Sequence, residues 1–221
     1  MTTSHSDFFE DNIVVNKFNE DSARDFRKRV LKISQLDPTV PIIVYIDSYG
    51  GYVDSLNSML STMRQVPNQF ITVCIGKAMS CGAALLAAGD FRFCDESSRV
   101  MVHEVSCGAV GNIDDVQSDA RESARLNTQI MTMIAQRCGK TYQQLKQKIK
   151  DNEGRDLYFT AKTAKEFGIV DFIGLPIVKP IVLYSIESVP QKTQTKINTE
   201  NKATSGKKKI INKSKKNNKQ K

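Results

Sequence analysis

The chain has 221 residues, 40% of them hydrophobic and 25% charged, with a formal net charge of +8. That length fits one domain with a sizeable core plus an appendage. The small-apolar run at residues 83–88 falls far short of the about 20 residues a membrane-crossing helix needs, so a membrane-spanning protein is excluded as a reading.

Residues 1–12 are polar and acidic, unlike a basic-then-apolar leader. They read as a flexible N-terminus over 1–11, and with no leader or span the expected location is the cytoplasm. Ile13-Val-Val15 is a short strand, and Phe26, Val30 and Ile33 recur at helical spacing behind it. The stretch 42–46 is a second strand; Leu56, Leu60 and Met63 mark a second helix; 70–75 is a third strand. This alternation is βαβ organisation with strands buried on both faces, a mainly parallel α/β fold. Further on, a strand at 100–102 precedes a long helical stretch over Ile113–Arg137 and another over 142–149, and the chain returns at 160–172.

The last segment, 191–221, holds eleven Lys and one acid, Glu200, so it carries +10 and the residues before it −2. It is too polar and self-repelling to bury a core and reads as a disordered Lys-rich tail after a domain at 12–190. Such a tail solubilises, and weak, salt-sensitive attraction to polyanions is its further expectation. Aromatic residues interleaved with the charges, the mark of a single-strand binder, are absent from it. Cys74, Cys81, Cys94, Cys107 and Cys138 are odd in number and lack a Cys-x-x-Cys pair, which suits reduced thiols. One core histidine makes a poor zinc site, and no cofactor is expected.

The most informative stretch is Gly76-Lys-Ala-Met-Ser80-Cys-Gly-Ala-Ala-Leu-Leu-Ala-Ala-Gly89. It sets a hydroxyl on a small-residue turn between an apolar strand and an apolar helix, whose first N–H groups stabilise negative charge. Ser80 is a candidate nucleophile there; a plain helix N-cap is the alternative. Of two histidines, His5 lies in the polar N-terminus, so His103, at the end of the strand 100–102, is the one imidazole available as a general base. Asp156, read as lying in a loop between two helical patterns, is the candidate carboxylate; a solvated loop residue or a cap is the alternative, and the choice leans on the resemblance given below. The chain order Ser, His, Asp and the lack of Gly-x-Ser-x-Gly separate this set from the chymotrypsin, subtilisin and α/β-hydrolase arrangements. Cys81, beside Ser80 at the helix start, carries two readings: a thiol made reactive by that position, or a small buried side chain.

Four motifs stand in order: Gly76-x-Ala-Met-Ser80-x-Gly-x-x-Leu-Leu-x-x-Gly89, Arg99-Val-Met-Val-His103, Arg155-Asp156-x-x-Phe-Thr-Ala161, and Ala164-x-x-Phe-Gly-Ile-Val-Asp171. With Ile46-Asp-Ser-Tyr-Gly50-Gly51 as a fifth, the stretch from about Ile13 to Phe172 resembles the proteolytic subunit of the Clp protease, a serine peptidase on the crotonase-like fold. The resemblance implies a βαβ superhelix with a protruding helix that interleaves with an opposite ring. It also implies Ser80, His103 and Asp156 as catalytic residues, the backbone N–H groups of Gly51 and Cys81 as oxyanion hole, protein or peptide substrates, self-association into rings, and a Clp-family ATPase as partner.

The chain departs from that family at Asp47 and Tyr49, where Asn-Ser-Pro-Gly-Gly is usual, at Glu104-Val105, where Gln-Pro follows the histidine, and at Gly154, where an acidic residue often contributes to ring contacts. A short polar stretch before Ile13 stands where the family has an axial loop and a first helix. The expectation is cleavage of small peptides and loosely structured chains, with an ATPase assisting less or through a second Clp-type subunit. The alternatives are an ATPase-independent relative of the phage head-maturation type and a non-catalytic ring subunit.

Overall fold

In the computed structural model the described residues are 12–106, 108–153 and 156–177. The expectations for the N-terminal 1–11, for Gly154 and for the tail at 191–221 lie outside them. Strand β1 (Ile13–Val15) leads through Asn19 into helix α1 (Glu20–Leu36), which starts where a reciprocal cap allows. Ser22 N donates to Asn19 Oδ1 at 2.9 Å, and Asn19 N to Ser22 Oγ at 3.0 Å. Those bonds satisfy two amides that the helix geometry leaves unpaired. Ala23, Phe26 and Val30 then form the buried face.

Strand β2 (Ile42–Ser48), helix α2 (Val53–Gln65) and strand β3 (Phe70–Met79) follow. β1, β2 and β3 are parallel neighbours, as right-handed βαβ crossovers require. β3 runs four residues beyond the predicted 70–75. At ten residues it is long enough to serve two neighbours on one edge: Ile71 to Cys74 pair with β4 (Phe91–Cys94), and Lys77 to Met79 pair with β5 (Arg99–Val102). Helix α3 (Cys81–Ala88), between β3 and β4, is hydrophobic all round and buried almost throughout, as a helix sealed inside a fold must be.

Helix α4 (Ile113–Arg137) matches the predicted long stretch. Its buried residues are Ile130, Met131, Ile134 and Ala135, so its first half stands clear of the chain's own core. Arg137 anchors the other end, donating from Nε to Ala87 O at 2.9 Å. Helix α5 (Tyr142–Asp151), strand β6 (Leu157–Thr160), helix α6 (Ala161–Phe167) and strand β7 (Phe172–Ile173) complete the described fold. Among the described residues seven strands make one sheet, parallel except where β6 runs antiparallel to β5.

One expectation is sharpened and one needs correction. Asp156 lies outside regular structure between α5 and α6, as expected, but it directly precedes β6, a four-residue strand too short to show a period in the sequence and formed by pairing with a strand more than fifty residues away. Burial on both faces does not hold throughout: β2 alternates buried and half-buried residues, and Val14, Phe91, Tyr158, Phe172 and Ile173 are exposed, because the chain's own helices do not cover the whole of both sheet faces. No helix among the described residues is long and apolar enough to cross a membrane.

Candidate active site

Ser80 occupies the junction where β3 becomes α3. Its backbone has φ 54 and ψ −120, outside the helical and extended regions, a conformation that costs a non-glycine residue about 1–3 kcal/mol. The surroundings enforce it: Ser80 N donates to Met101 O on β5 at 2.9 Å, and Ala84 N on α3 donates to Ser80 O at 3.2 Å. The side chain makes no cap bond to α3, which removes the plain N-cap reading. Its Oγ instead lies 2.8 Å from His103 Nε2.

The position of His103 follows from strand register. Met79 on β3 pairs with Met101 on β5, so Ser80 leaves its strand beside the end of β5, and His103 comes one residue after that end. β5 and β6 pair antiparallel as Arg99↔Thr160 through Val102↔Leu157. The next position of the same ladder sets His103 opposite Asp156, at the separation where cross-strand side chains meet. His103 Nδ1 is 3.7 Å from Asp156 Oδ1, with the imidazole 24% and the carboxylate 45% exposed. Asn152 Nδ2 donates to Asp156 O at 3.0 Å and fixes that backbone.

Gly50 and Gly51 face Ser80 across the site. Gly50 has φ +110, and a Cβ there would lie 2.8 Å from Ser80 Cβ; Gly51 has φ +148, and a Cβ would lie 2.4 Å from Phe18 O. Both positions therefore need glycine for conformation and for close approach. The turn is held from behind by Phe18, whose N donates to Gly50 O at 3.3 Å and whose O accepts from Tyr52 N at 2.8 Å. Cys81 opens α3, so its N–H is among the first amides of the helix, which have no intrahelical carbonyl to meet. Its thiol donates to Gly51 O at 3.2 Å, and burial pushes it above the ordinary cysteine value. Burial and the donation to Gly51 O favour the packed reading of Cys81 over the reactive-thiol one. Cys74, Cys81, Cys94 and Cys138 are all buried free thiols; Cys107 lies outside the described residues.

Gly51, Ser80, Cys81 and His103 border a cleft of about 260 Å³ whose walls include Tyr49, Val53, Met101, Val105 and Ile130. Three contacts beside it have no local signature in the sequence. Asn127 on α4 accepts from Val105 N at 3.0 Å and donates to Glu104 Oε1 at 3.4 Å, tying the loop after His103 to the long helix. Lys77 Nζ lies 2.6 Å from Asp47 Oδ1. The same ammonium stands 4.5 Å from the centre of the Tyr49 ring.

The Clp protease family matches residues 3–175. The ATP-dependent Clp protease proteolytic subunit 2 of Frankia casuarinae is 36% identical over 152 residues, covering 68% of this chain and 68% of its own. Proteolytic subunit 1 of Corynebacterium diphtheriae is 34% identical over 175 residues, with 77% of this chain and 82% of its own covered. Proteolytic subunit 3 of Nocardia farcinica is 35% identical over 175 residues, 76% of this chain and 77% of its own.

Proposed function

The chain belongs to the Clp protease family, and from that premise we propose that it is a serine-type endopeptidase acting as the proteolytic subunit of a ring-shaped Clp protease. The observation that carries the serine reading is the 2.8 Å approach of His103 Nε2 to a Ser80 Oγ that caps no helix.

Ser80 Oγ attacks the peptide carbonyl carbon while His103 Nε2 takes its proton, and the carbonyl oxygen becomes an oxyanion. The N–H groups of Gly51 and Cys81 hold that oxygen, each donor worth about 3 kcal/mol in comparable sites. As the C–N bond breaks, His103 returns the proton to the leaving amine, and an ester to Ser80 remains. Water, deprotonated by His103, attacks the ester; its collapse frees the acid and restores the serine hydroxyl. Asp156 keeps the Nδ1–H tautomer and stabilises the imidazolium formed in each half-reaction. At 3.7 Å in the free site, its contact tightens when charge develops on the ring.

Self-association is supported by Ile113 and Val116, exposed apolar residues on the half of α4 that the chain's own core does not cover. A Clp-family ATPase is the further partner of this reading, supported by relatives named as subunits of an ATP-dependent protease. The test is a fluorophosphonate probe with native mass measurement. Covalent labelling at Ser80 in an assembly of many subunits is the expected result. An unlabelled Ser80 in a correctly folded assembly would sink the serine-type reading.

A further inference from the structure

Strands β2 and β3 fall out of register beside the cleft. Ile46 pairs with Cys74 and Ser48 with Ala78, so Asp47 alone faces the stretch Ile75, Gly76 and Lys77. A bulge of this kind turns side chains in directions a regular strand does not allow. Gly76 makes it possible with φ +78 and a Cα so close that a Cβ would lie 3.1 Å from Asp47 Oδ1. Ser98 Oγ accepts from Gly76 N at 2.6 Å and pins the bulge from the far side. The result is that Lys77 reaches Asp47 at 2.6 Å, with its side chain only 20% exposed. The hydrogen bond to Asp47 raises the Lys77 ammonium above its ordinary value, so it stays charged.

That fixed cation is 4.5 Å from the centre of the Tyr49 ring. Tyr49 is 71% exposed, lines the cleft, and directly precedes Gly50 and Gly51. An exposed aromatic ring normally samples several rotamers, but one held by an ammonium over its π-face is restrained. The remaining ring surface is open to whatever occupies the cleft. An apolar or aromatic side chain gains contact there, whereas a cationic one meets the charge of Lys77 at a π-system already engaged.

We propose that Tyr49 is a specificity-determining residue of this cleft, selecting apolar or aromatic side chains of a bound peptide over cationic ones, with Lys77 and Asp47 as its positioning residues. The proposal rests on the peptidase reading of the cleft, and its test is made by binding, without turnover. Short fluorescein-labelled alanine peptides carrying a single Phe or a single Lys are titrated into the Ser80→Ala protein, assembled as the full chain, and followed by anisotropy.

The Phe peptide is expected to bind roughly 3–10-fold more tightly than the Lys peptide. Adding Tyr49→Ala lowers that ratio by a similar factor, and Tyr49→Phe preserves it. Lys77→Met frees the π-face, so the Lys peptide gains affinity. The gain persists when Asp47→Asn is added, which separates it from attraction to a bare carboxylate, and Lys77→Arg restores the original preference. Melting curves of each variant establish that it is folded. An unchanged ratio in the Tyr49→Ala protein, no discrimination in the parent, or a Lys peptide that gains nothing from Lys77→Met overturns the proposal. Failure of the serine reading appears separately, as absence of probe labelling in the unmutated chain.

Discussion

Ser80 and His103 reach each other from the ends of two hydrogen-bonded parallel strands, β3 and β5, and their contact is set by a register in which Met79 pairs with Met101. Both residues take their place from the ends of those two paired strands. Ser80→Ala therefore removes one oxygen and little else, and the protein is expected to assemble and melt as before while probe labelling disappears and peptide turnover falls by about 10⁴-fold or more. His103→Ala is expected to behave alike in turnover. Near-normal hydrolysis by either variant refutes the assignment.

Asp156→Asn separates orientation from charge. The amide can still accept at Oδ1, but it can also present its NH₂ to Nδ1 and favour the wrong tautomer. Because the contact is 3.7 Å and the carboxylate 45% exposed, the loss is expected to be smaller than for the nucleophile, roughly 10²–10³-fold in kcat. Steady-state kinetics of the three variants give the ranking. A loss equal to that of Ser80→Ala means that Asp156 does more than orient.

Ser80, His103 and the Gly50-Gly51 turn were legible in the sequence because each sits within a compact run of distinctive residues. Asp156 was legible as a residue between two helices, but its register opposite His103 was not, since β6 is four residues long and exists only through its pairing with β5. Lys77 and Asp47 are 30 positions apart, and Asn127 is 22 positions from Val105. No periodicity joins them; the bulge at Gly76 and the docking of α4 do. The extension of β3 to Met79 was hidden for the same reason, the glycine at 76 reading as the end of a strand when it marks a bulge within one.

Gly50→Ala tests how tightly the turn is fitted to the nucleophile. At φ +110 the new Cβ would be 2.8 Å from Ser80 Cβ and 3.0 Å from Met79 O, both too short to hold. Either the turn or the Ser80 junction must shift. Folding is expected to weaken by about 1–3 kcal/mol, and the rate of probe labelling to fall at least tenfold even where the melt shows a folded protein. Labelling at the normal rate would mean that the turn moves without carrying the site.

The sheet has a pH-dependent anchor away from the cleft. Arg92, buried on β4, donates from Nε to Asp171 Oδ2 at 3.0 Å and from Nη1 to Arg137 O and Gly168 O, each at 2.9 Å. Burial pushes the Asp171 carboxyl up, but the hydrogen bonds and charge of Arg92 outweigh it and hold the group below the ordinary carboxylate value. A depressed folded-state value stabilises above the unfolded carboxylate range, near pH 4, and that stability is lost as pH falls through the folded value. Asp171→Asn is expected to cost roughly 2–3 kcal/mol at neutral pH, discounted from a fully buried pair for the partial exposure of Asp171. It should also flatten part of the decline in Tm between about pH 5 and pH 3. Parallel Tm profiles for the two proteins would contradict the linkage.

Asn127 is the last link between the long helix and the chemistry. It holds Val105, two residues past His103, by accepting a hydrogen bond from Val105 N at 3.0 Å, and donates to Glu104 at 3.4 Å. A neutral hydrogen bond of this kind contributes about 1 kcal/mol, so its loss is expected to reduce turnover roughly 5-fold by letting the histidine loop wander, with little change in Tm. Asn127→Leu removes both bonds. Asn127→Asp keeps the acceptor for Val105 N but sets a carboxylate against Glu104, and is expected to be no better than Leu at neutral pH. Adding Glu104→Gln then supplies a donor to the new carboxylate and is expected to restore most of the activity, a recovery that simple loss of packing would not give. Peptide turnover across the four proteins reads the outcome, and full activity in Asn127→Leu would show that β5 alone positions His103.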